Sequence, residues 1–345
     1  MKKQIVSFLL LAACAATCVG QVTELPQPKR VAPVKIIFDT DMGNDCDDAM
    51  ALALVHALQN RAAAELLAVT LTNPDPLAGR LVDAINTFYG RPKIPIGVNP
   101  QAPFSRESRF LKIAADYPHD FDPATAPHAV KLLRQTLAKE KDGSVTLVQV
   151  GFFTNLAALL ESTGDEFSPL SGVELVKKKV KELQLMAGAF GVMGNTNYTL
   201  EFNVRFDIRS AQKVAREWPT PMIWSGGEIG EAVPFPAAVV ERDFGYVKRH
   251  PIYESYQLFR ATPHERPCYD LTSVLQAVWP DRGYFGMSVP GRVEVKDDGF
   301  TRFTPARESK SKRDRFLVVD KAQAALVREL FAALVTEAPA ATVAK

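Results

Sequence analysis

Short apolar segments alternate with helix-forming segments along most of this chain, and this alternation constrains the fold more than any other feature. Segment 34–38 is typical of a buried strand, 49–58 is rich in helix formers, and 66–71 is typical of a second strand. A strand, a loop, a helix and another strand in this order form the unit of a parallel sheet. The sequence therefore predicts one α/β domain with a doubly wound, mostly parallel central sheet and helical or loop insertions.

The alternation continues beyond this first unit. Helices are predicted at 76–89, 126–139, 154–161, 208–217, 272–278 and 321–335, and strands at 145–150, 183–186 and 221–224. The C-terminal third is less regular, and there the pattern predicts only the last two of these helices. A hydrophobic fraction of 47% is enough for one large domain with a substantial core.

Polar residues follow several of the predicted strands at the point where each strand ends. The acidic stretch 39–48 follows the first strand, Asn73 follows the second, Val150 and Gly151 follow a later one, and 186–203 follows the next. Ligands of open α/β sheets bind beyond the carboxyl ends of the strands. The sequence therefore predicts a functional site at this edge of the sheet.

The stretch after the first strand holds five aspartates within ten residues: Asp39, Asp41, Asp45, Asp47 and Asp48. Packed together without a counter-charge, carboxylates repel one another and raise one another's pKa values. A set of oxygen donors suits calcium or magnesium, and Gly43 would allow a tight turn, although the spacing does not fit an EF-hand. Capping of the following helix explains one of the aspartates, but not five.

The acidic stretch resembles the signature of the inosine-uridine nucleoside hydrolase family. The matching parts are Asp-Thr-Asp-Met-Gly from Asp39 and Asp-Asp-Ala-Met-Ala-Leu from Asp47, with a longer connection at 44–46 than the common form has. The resemblance continues in order through Leu-Thr-Asn at 71–73, 148–156, Met-Ala-Gly at 186–188, Gly194-Asn195, Glu-Phe-Asn at 201–203, Asp207 and a late Asp270. It covers about 34–270 and implies a nucleoside hydrolase-like fold.

The resemblance also implies roles for individual residues. Calcium would be held by Asp41, Asp48, Asp270 and the Val150 carbonyl, and Asp41 would be the general base for the attacking water. The residues implied to contact the ribose or line its pocket are Asp47, Asn73, Met186, Asn195, Glu201 and Asn203. Asp39 would support the loop, and an extended segment would point Glu201 and Asn203 to the same side. The implied reaction is hydrolysis of the N-glycosidic bond of a ribonucleoside.

This chain departs from the family pattern beside Asp270. Many members have His-Asp there, and the histidine protonates the departing base, whereas this chain has Tyr269. A tyrosine with a pKa near 10 donates a hydrogen bond but transfers a proton reluctantly at neutral pH. Tyr269 could act as a hydrogen-bond donor only, His119 could enter the pocket from a loop, or the substrate could carry a better leaving group than a purine.

Two other functions remain open from the sequence. A non-catalytic protein that retained the calcium-binding residues would bind ribose or nucleosides in the presence of calcium without turnover. The Phe38-Asp-Thr-Asp41 segment also matches haloacid-dehalogenase-like phosphohydrolases superficially. In that class, however, the remaining metal-binding carboxylates lie late in the chain rather than in an Asp-Asp pair directly after the motif.

The N-terminal residues have the pattern of an export signal. Lys2 and Lys3 precede a short apolar run, so 1–20 is predicted to be a signal peptide, and Leu-Ala-Ala-Cys at 11–14 resembles a lipobox that would lipidate Cys14. Residues 21–33 would be a tether, 34–336 the folded domain and 337–345 a disordered tail. We therefore expect an exported bacterial protein, either periplasmic or anchored to the membrane through the N-terminal lipid alone.

The net charge limits the possible partners, and the cysteine content limits the possible disulfides. A formal net charge of +2 gives no electrostatic support for binding nucleic acid. The expected partner is a small-molecule ribonucleoside, and the family resemblance implies a homo-oligomer. Cys46 and Cys268 are the cysteines beyond the signal region, and two unpaired thiols are favoured over a disulfide between them.

Overall fold

The computed structural model describes residues 31–101, 103–104 and 107–340. The predicted signal peptide, Cys14 and most of the predicted tether lie outside the described residues, as do the last five residues of the predicted tail. From Ala32 onward, the described residues belong to one compact unit. None of the helices within these ranges combines the length and the apolar character needed to cross a bilayer.

Twelve strands are present among the described residues. They are β1 (Val34–Thr40), β2 (Ala64–Leu71), β3 (Ile96–Val98), β4 (Val145–Gln149), β5 (Val180–Met186), β6 (Met222–Ser225), β7 (Pro234–Phe235), β8 (Arg266–Pro267), β9 (Gly286–Met287), β10 (Gly291–Val295), β11 (Thr301–Pro305) and β12 (Asp314–Val318). Ten of them form the central sheet, and β7 and β8 form a separate antiparallel pair.

Thirteen α-helices connect or flank these strands in the described part of the chain. They are α1 (Asp47–Asn60), α2 (Pro76–Phe88), α3 (Ala129–Lys139), α4 (Thr154–Glu161), α5 (Gly172–Lys179), α6 (Phe202–Phe206), α7 (Ile208–Glu217), α8 (Gly227–Ala232), α9 (Ala237–Arg242), α10 (Pro251–Phe259), α11 (Tyr269–Val278), α12 (Ala306–Ser309) and α13 (Lys321–Val335). A 3-10 helix spans Phe110–Asp116.

The strand order of the sheet creates a crevice beside β1. The order is β11-β10-β12-β6-β5-β4-β1-β2-β3, and the strands from β12 to β3 in this order run parallel. From β1 the chain first adds β2 and β3 on one side, and then returns to add β4 and β5 on the other. The switch point therefore lies between β1 and β4, where open α/β sheets bind ligands.

Helices cover both faces of the sheet. On one face α1 contacts α2, α10, α11 and α13, and on the other face α3 packs against α4 and α5. Helix α1 is buried from Asp47 to Leu58, so it lies inside the helical layer rather than on its surface. This arrangement confirms the predicted α/β fold with a mostly parallel central sheet.

The C-terminal third is more regular than the sequence predicts. Strands β10 and β11 form an antiparallel hairpin that extends the sheet beyond β12, which itself pairs in parallel with β6. In β10 the side chains of Val293 and Val295 are buried while Glu294 is exposed, an alternation spread over five residues. A strand this short provides too few residues for its period to stand out from the flanking sequence.

The end of the folded domain lies against α1. Glu337 forms an ion pair with Arg61 and accepts a hydrogen bond from the Asn60 side chain at 3.3 Å. Glu337 belongs to the tail that the sequence predicts to be disordered, and residues 341–345 of that tail lie outside the described residues. The boundary between the folded domain and a disordered tail, placed at 336/337 from the sequence, stays a prediction.

Candidate active site

The loop between β1 and α1 turns back on itself through Gly43. Gly43 has φ of +116°, and a Cβ at this position would lie 2.8 Å from the Asn73 side-chain nitrogen. That nitrogen donates a hydrogen bond to the Met42 carbonyl at 2.9 Å. A side chain at position 43 would therefore be strained by its backbone conformation and would also displace Asn73. The predicted role of Gly43 as a tight turn is confirmed.

Three buried carboxyl groups come together where the loop enters α1. Oxygens of Asp47, Asp48 and Asp270 all lie within 4.8 Å of one another, and each residue is at most 4% exposed. Asp47 and Asp48 occupy the first turn of α1, and Asp270 occupies the first turn of α11. Two helix N-termini therefore point their backbone N–H groups toward this acidic triad, which partly offsets its negative charge.

Hydrogen bonds hold the triad in place. Asp47 Oδ2 accepts from the backbone N–H groups of Tyr269 and Asp270, at 3.0 and 3.2 Å. The Thr40 hydroxyl at the end of β1 donates to Asp48. These contacts join the first strand, α1 and α11 at one point.

The carboxyl pKa values show how strongly this cluster needs a counter-charge. Burial raises the pKa of Asp47 to about 7. Burial, and then the charges of neighbouring aspartates, raise the pKa values of Asp48 and Asp270 well above their ordinary range. Ionised carboxylates this close together are stabilised by a bound cation, and an all-oxygen donor set suits a hard divalent one. The acidic triad can therefore bind a metal.

Asp41 lies beside the triad in the same pocket. The Asn44 side-chain amide donates to Asp41 Oδ2 at 2.7 Å and so restricts the orientation of the carboxylate. The charge of Asp41 also contributes to the raised pKa values of Asp48, Asp270 and Glu201. Asp41 is therefore electrostatically part of the cluster.

Asp39 has a structural environment, as the sequence indicates. It is fully buried, and both of its carboxyl oxygens accept from Asn155 Nδ2, at 3.1 and 3.2 Å. Asn155 belongs to the first turn of α4. The bond thus joins the end of β1 to the helix that follows β4, across the switch point.

Glu201 and Asn203 lie on the neighbouring wall of the pocket, in a conformation that the sequence does not predict. They do not lie on an extended segment, because Glu201 caps α6 and Asn203 is inside that helix. The Glu201 carboxylate accepts from the backbone N–H groups of Gly188, Asn203 and Val204, at 3.0, 2.7 and 3.1 Å. These bonds end the extended backbone and begin a helix, which is the physical reason for the difference.

Asn203 connects two strand ends to the pocket. Its Nδ2 donates to the carbonyls of Val150 and Met186, at 2.9 and 3.1 Å. Val150 follows β4 and Met186 ends β5. A carbonyl oxygen has two lone pairs, so the bond from Asn203 leaves the Val150 carbonyl able to contact a metal as well.

The pocket has a volume of about 250 Å³. Most of the predicted site residues line it: Asp41, Asp47, Asp48, Val150, Met186, Glu201, Asn203, Tyr269 and Asp270. Three predicted residues are placed elsewhere. Asn73 is buried beneath the acidic loop, Asn195 is exposed on the 187–201 loop, and His119 is half-buried near Asp83 of α2. The structure therefore does not bring His119 into this pocket.

Asn44, Asp45 and Arg266 also line the pocket, although the sequence interpretation gave them no role. Asn44 and Asp45 belong to the longer connection within the acidic signature. Arg266 lies in β8, and its only sequence signal is its position four residues before Asp270. Position relative to a family motif could have drawn attention to all three residues, but the contact between Asp45 and Arg266 depends on the fold.

Tyr269 and the two cysteines complete the surroundings. Burial raises the pKa of Tyr269 to about 12, so its hydroxyl stays protonated at neutral pH.

Cys46 and Cys268 are both buried and free, in agreement with the favoured interpretation of two unpaired thiols. Burial is also the main reason that both thiol pKa values lie well above their ordinary range.

Similar proteins of known sequence include two bacterial ribonucleoside hydrolases. The chain is 33% identical over 186 residues to the pyrimidine-specific ribonucleoside hydrolase RihA of Shewanella sp. (strain MR-7), covering 52% of this chain and 54% of the relative. It is 31% identical over 193 residues to the pyrimidine-specific ribonucleoside hydrolase RihB of Escherichia coli O9:H4 (strain HS), covering 52% and 55%. The matched region spans about half the length of these curated relatives.

A solved structure shares the fold over nearly the whole domain. The plant nucleoside hydrolase PpNRh1 superposes with a TM-score of 0.68 at 24% identity, covering 89% of this chain and 99% of that one. The family model described as inosine-uridine preferring nucleoside hydrolase matches residues 36–329. That match includes most of β1, the acidic loop, the 201–203 segment and Asp270. It gives no support to a haloacid-dehalogenase-like alternative. The chain belongs to the inosine-uridine preferring nucleoside hydrolase family.

Proposed function

We propose that this protein hydrolyses the N-glycosidic bond of ribonucleosides to ribose and free base, with a calcium ion held by its acidic cluster. The observation that carries the proposal is the convergence of Asp47, Asp48 and Asp270 beside Asp41 at the sheet's switch point. The pocket volume of about 250 Å³ accommodates a small polar ligand rather than a polymer. Family membership and the hydrolase relatives support the same conclusion.

The donor set fits a calcium ion. Asp48 and Asp270 belong both to the ligands implied by the family resemblance and to the group whose oxygens lie within 4.8 Å, so the metal proposal rests mainly on them. Asp47 Oδ2 already accepts two backbone N–H groups, which favours Asp41 and the Val150 carbonyl as further ligands. Carboxylate and carbonyl oxygens without nitrogen or sulfur are the ligands that calcium prefers.

The protein's own residues divide the work of the reaction. Asp41, oriented by Asn44, accepts a proton from the attacking water. Glu201 and Asn203 fix the sugar by hydrogen bonds to its hydroxyls, and the surrounding carboxylates stabilise the positive charge that develops on the ribose ring. When bound, calcium supplies coordination sites for water and sugar hydroxyl oxygens, and makes that water more acidic.

The test is a screen of ribonucleosides with the mature protein in the presence of calcium, with release of free ribose measured by a reducing-sugar assay. Uridine and cytidine should be assayed first, because the named relatives are pyrimidine-specific, followed by inosine, guanosine and adenosine. Ribose release should require calcium and should be lost in Asp41→Ala, while Asp281→Asn on the surface should behave as wild type.

Three outcomes would contradict the proposal. Ribose release that survives removal of calcium by a chelator would count against the metal. Calcium-dependent nucleoside binding without ribose release would favour the non-catalytic binding protein. Release of phosphate from a phosphoester, with no ribose from any nucleoside, would indicate a phosphohydrolase.

We also propose that the protein is exported and anchored through a lipid on Cys14. The support is the sequence pattern at 1–20, with its two lysines, apolar run and Leu-Ala-Ala-Cys ending. Metabolic labelling with a fatty acid should mark the wild-type protein and leave Cys14→Ser unlabelled. Recovery of both proteins in the soluble periplasm would instead favour cleavage after Gly20, and the homo-oligomer implied by the family can be tested on the same material by sedimentation.

A further inference from the structure

Arg266 stands out because of its charge. Among the described residues that line the pocket, the other charged side chains are acidic: Asp41, Asp45, Asp47, Asp48, Glu201 and Asp270. Among these carboxylates, the guanidinium provides a single position at which a negatively charged part of a ligand is stabilised. The sugar chemistry proposed above develops positive charge on the ribose ring, so Arg266 is unsuited to that side of the reaction.

The Arg266 side chain is held in a fixed position. Its Nη2 forms an ion pair with Asp45, which belongs to the longer connection of the acidic loop. Its Cζ lies 5.0 Å from the Phe259 ring centroid and 5.4 Å from the Tyr269 ring centroid. Contact with two aromatic rings and a carboxylate fixes the guanidinium plane and limits its exposure, and the side chain is 22% exposed.

Most of the guanidinium's hydrogen-bonding capacity is left over. An arginine has five N–H groups, and a single carboxylate engages at most two of them. The buried Nε–H has no hydrogen-bond partner among the described residues. An unpartnered buried donor costs free energy in the protein alone. Arg266 lines the pocket, so a ligand bound there can supply partners for guanidinium N–H groups that Asp45 does not engage.

The leaving group is the part of the substrate that needs such a partner. When the bond from C1′ to the base nitrogen breaks, its electron pair moves onto the base, which departs as an anion unless it is protonated at the same time. Arginine keeps its proton and therefore acts through charge and hydrogen bonding, not as an acid. Fixed positive charge placed where negative charge develops is an effective form of catalysis.

We propose that Arg266 stabilises the departing base as an anion, with Asp45 as its positioning residue, in place of the histidine that protonates the base in many family members. This inference rests on the proposed hydrolase function. The oxygen of water forms a bond to C1′ as the bond from C1′ to nitrogen breaks, and the water proton passes to Asp41. The electron pair stays on the base, which takes up a proton from solvent after it departs.

The test compares substrates whose leaving groups differ in acidity. A p-nitrophenyl β-D-riboside releases a stable anion and needs little help, whereas uridine releases a more basic anion and needs more. Arg266→Gln should lower kcat/KM for uridine by about 100-fold, the usual effect of removing one donor to a developing anion, and for the p-nitrophenyl riboside by less than about 3-fold. Arg307→Gln, which removes an exposed arginine, should leave both rates unchanged.

Two further variants keep the test decisive. Arg266→Lys keeps the charge but loses the planar fork, so it should recover part of the uridine rate. Tyr269→Phe should cost less on uridine than Arg266→Gln, because it keeps the ring against the guanidinium. If Arg266→Gln does not fold, as judged by the loss of its thermal transition, Asp45→Asn provides the same comparison with a milder change.

The results separate this inference from the proposed function. A loss that is equal for both substrates, or a uridine-selective loss in Tyr269→Phe but not in Arg266→Gln, would overturn the role of Arg266 and leave the hydrolase function standing. If the wild-type protein with calcium hydrolyses neither substrate class, the hydrolase function and this inference both fail.

Discussion

The two sides of the pocket differ in charge and in their relation to the family signature. The acidic side, formed by Asp41, Asp47, Asp48 and Asp270, matches the signature and can hold a cation. The side formed by Arg266 and Tyr269 carries a positive charge and departs from the signature at position 269. We therefore expect metal and sugar binding to depend on the side that matches the family signature, and departure of the base to depend on the side that departs from it.

The largest effect is expected from Asp41, on the acidic side. Asp41→Asn keeps the shape and the contact with Asn44 but removes the proposed base. We therefore expect kcat to fall by about 1,000-fold, within the usual range for loss of a general base. Ribose release from uridine under saturating calcium measures it, with Asp281→Asn as the matched surface control. A fall of less than about 10-fold would break the assignment of the chemistry to this side.

The next effect concerns metal binding by Asp270. Calcium at 100 times its Kd should stabilise the wild-type protein by about 2.7 kcal/mol, because the ion binds only the folded state. Asp270→Asn should lose most of this stabilisation, measured as the calcium-dependent shift of Tm. Without calcium, the variant should be at least as stable as wild type, since one of three mutually repelling carboxylates is gone. An undiminished calcium shift would remove Asp270 from the metal site.

A smaller effect is expected from Asp45, on the other side of the pocket. Asp45→Asn frees Arg266 without removing it, so kcat/KM for uridine should fall by about 10-fold, less than for loss of the arginine itself. In an Arg266→Gln background, Asp45→Asn should add almost nothing, because the residue it positions is already absent. Additive losses in this double-mutant cycle would show that Asp45 acts independently of Arg266.

The smallest effect tests the helix beneath the acidic side rather than the pocket. His56 in α1 is fully buried, and burial lowers its pKa from 6.5 to about 3. Between these values the unfolded state binds a proton that the folded state excludes. The free energy of unfolding therefore falls as pH is lowered through this window, by up to about 1.4 kcal/mol per pH unit for each such histidine.

His56→Gln isolates this contribution, since glutamine has no titrating group in the window. Urea unfolding of wild type and variant across this range should give a shallower pH dependence for the variant, with unchanged activity at neutral pH. His250 also has a pKa lowered to about 3 by burial and should continue to contribute in both proteins. Parallel curves for the two proteins would contradict the expectation.

The sequence predicts the parallel part of the fold well, because β1, β2, β4 and β5 are buried apolar runs separated by helices with clear periods. It misses β10 to β12, whose residues alternate over too short a length. It also places the starts of α1 and α11 two to three residues late, at 49 and 272 instead of 47 and 269. The helix residues missed by the prediction include Asp47, Asp48 and Asp270, so the error in the helix boundaries lies at the site itself.

For the site, residues within one motif are easier to predict than residues joined by the fold. Asp41, Asp47 and Asp48 lie close together in the sequence, and their crowding already predicts a cation. Asn73 and Asn195 are predicted contacts that the structure places outside the lining of the pocket, and their roles stay predictions. The direction of a loop side chain depends on the packing around it, which the sequence does not specify locally.

By itself, the sequence determined the α/β class, the family and the acidic loop, because these are properties of neighbouring residues and of periodic patterns. The family resemblance already implied that Asp270 joins Asp48, but only the tertiary structure decided that Asp47 belongs to the same triad. It also decided that Asp45 pairs with Arg266, more than 200 positions away along the chain. Such contacts arise when α1, β8 and α11 pack together at one edge of the sheet. Their energies depend on burial and distance in the folded protein, and neither can be read from local sequence.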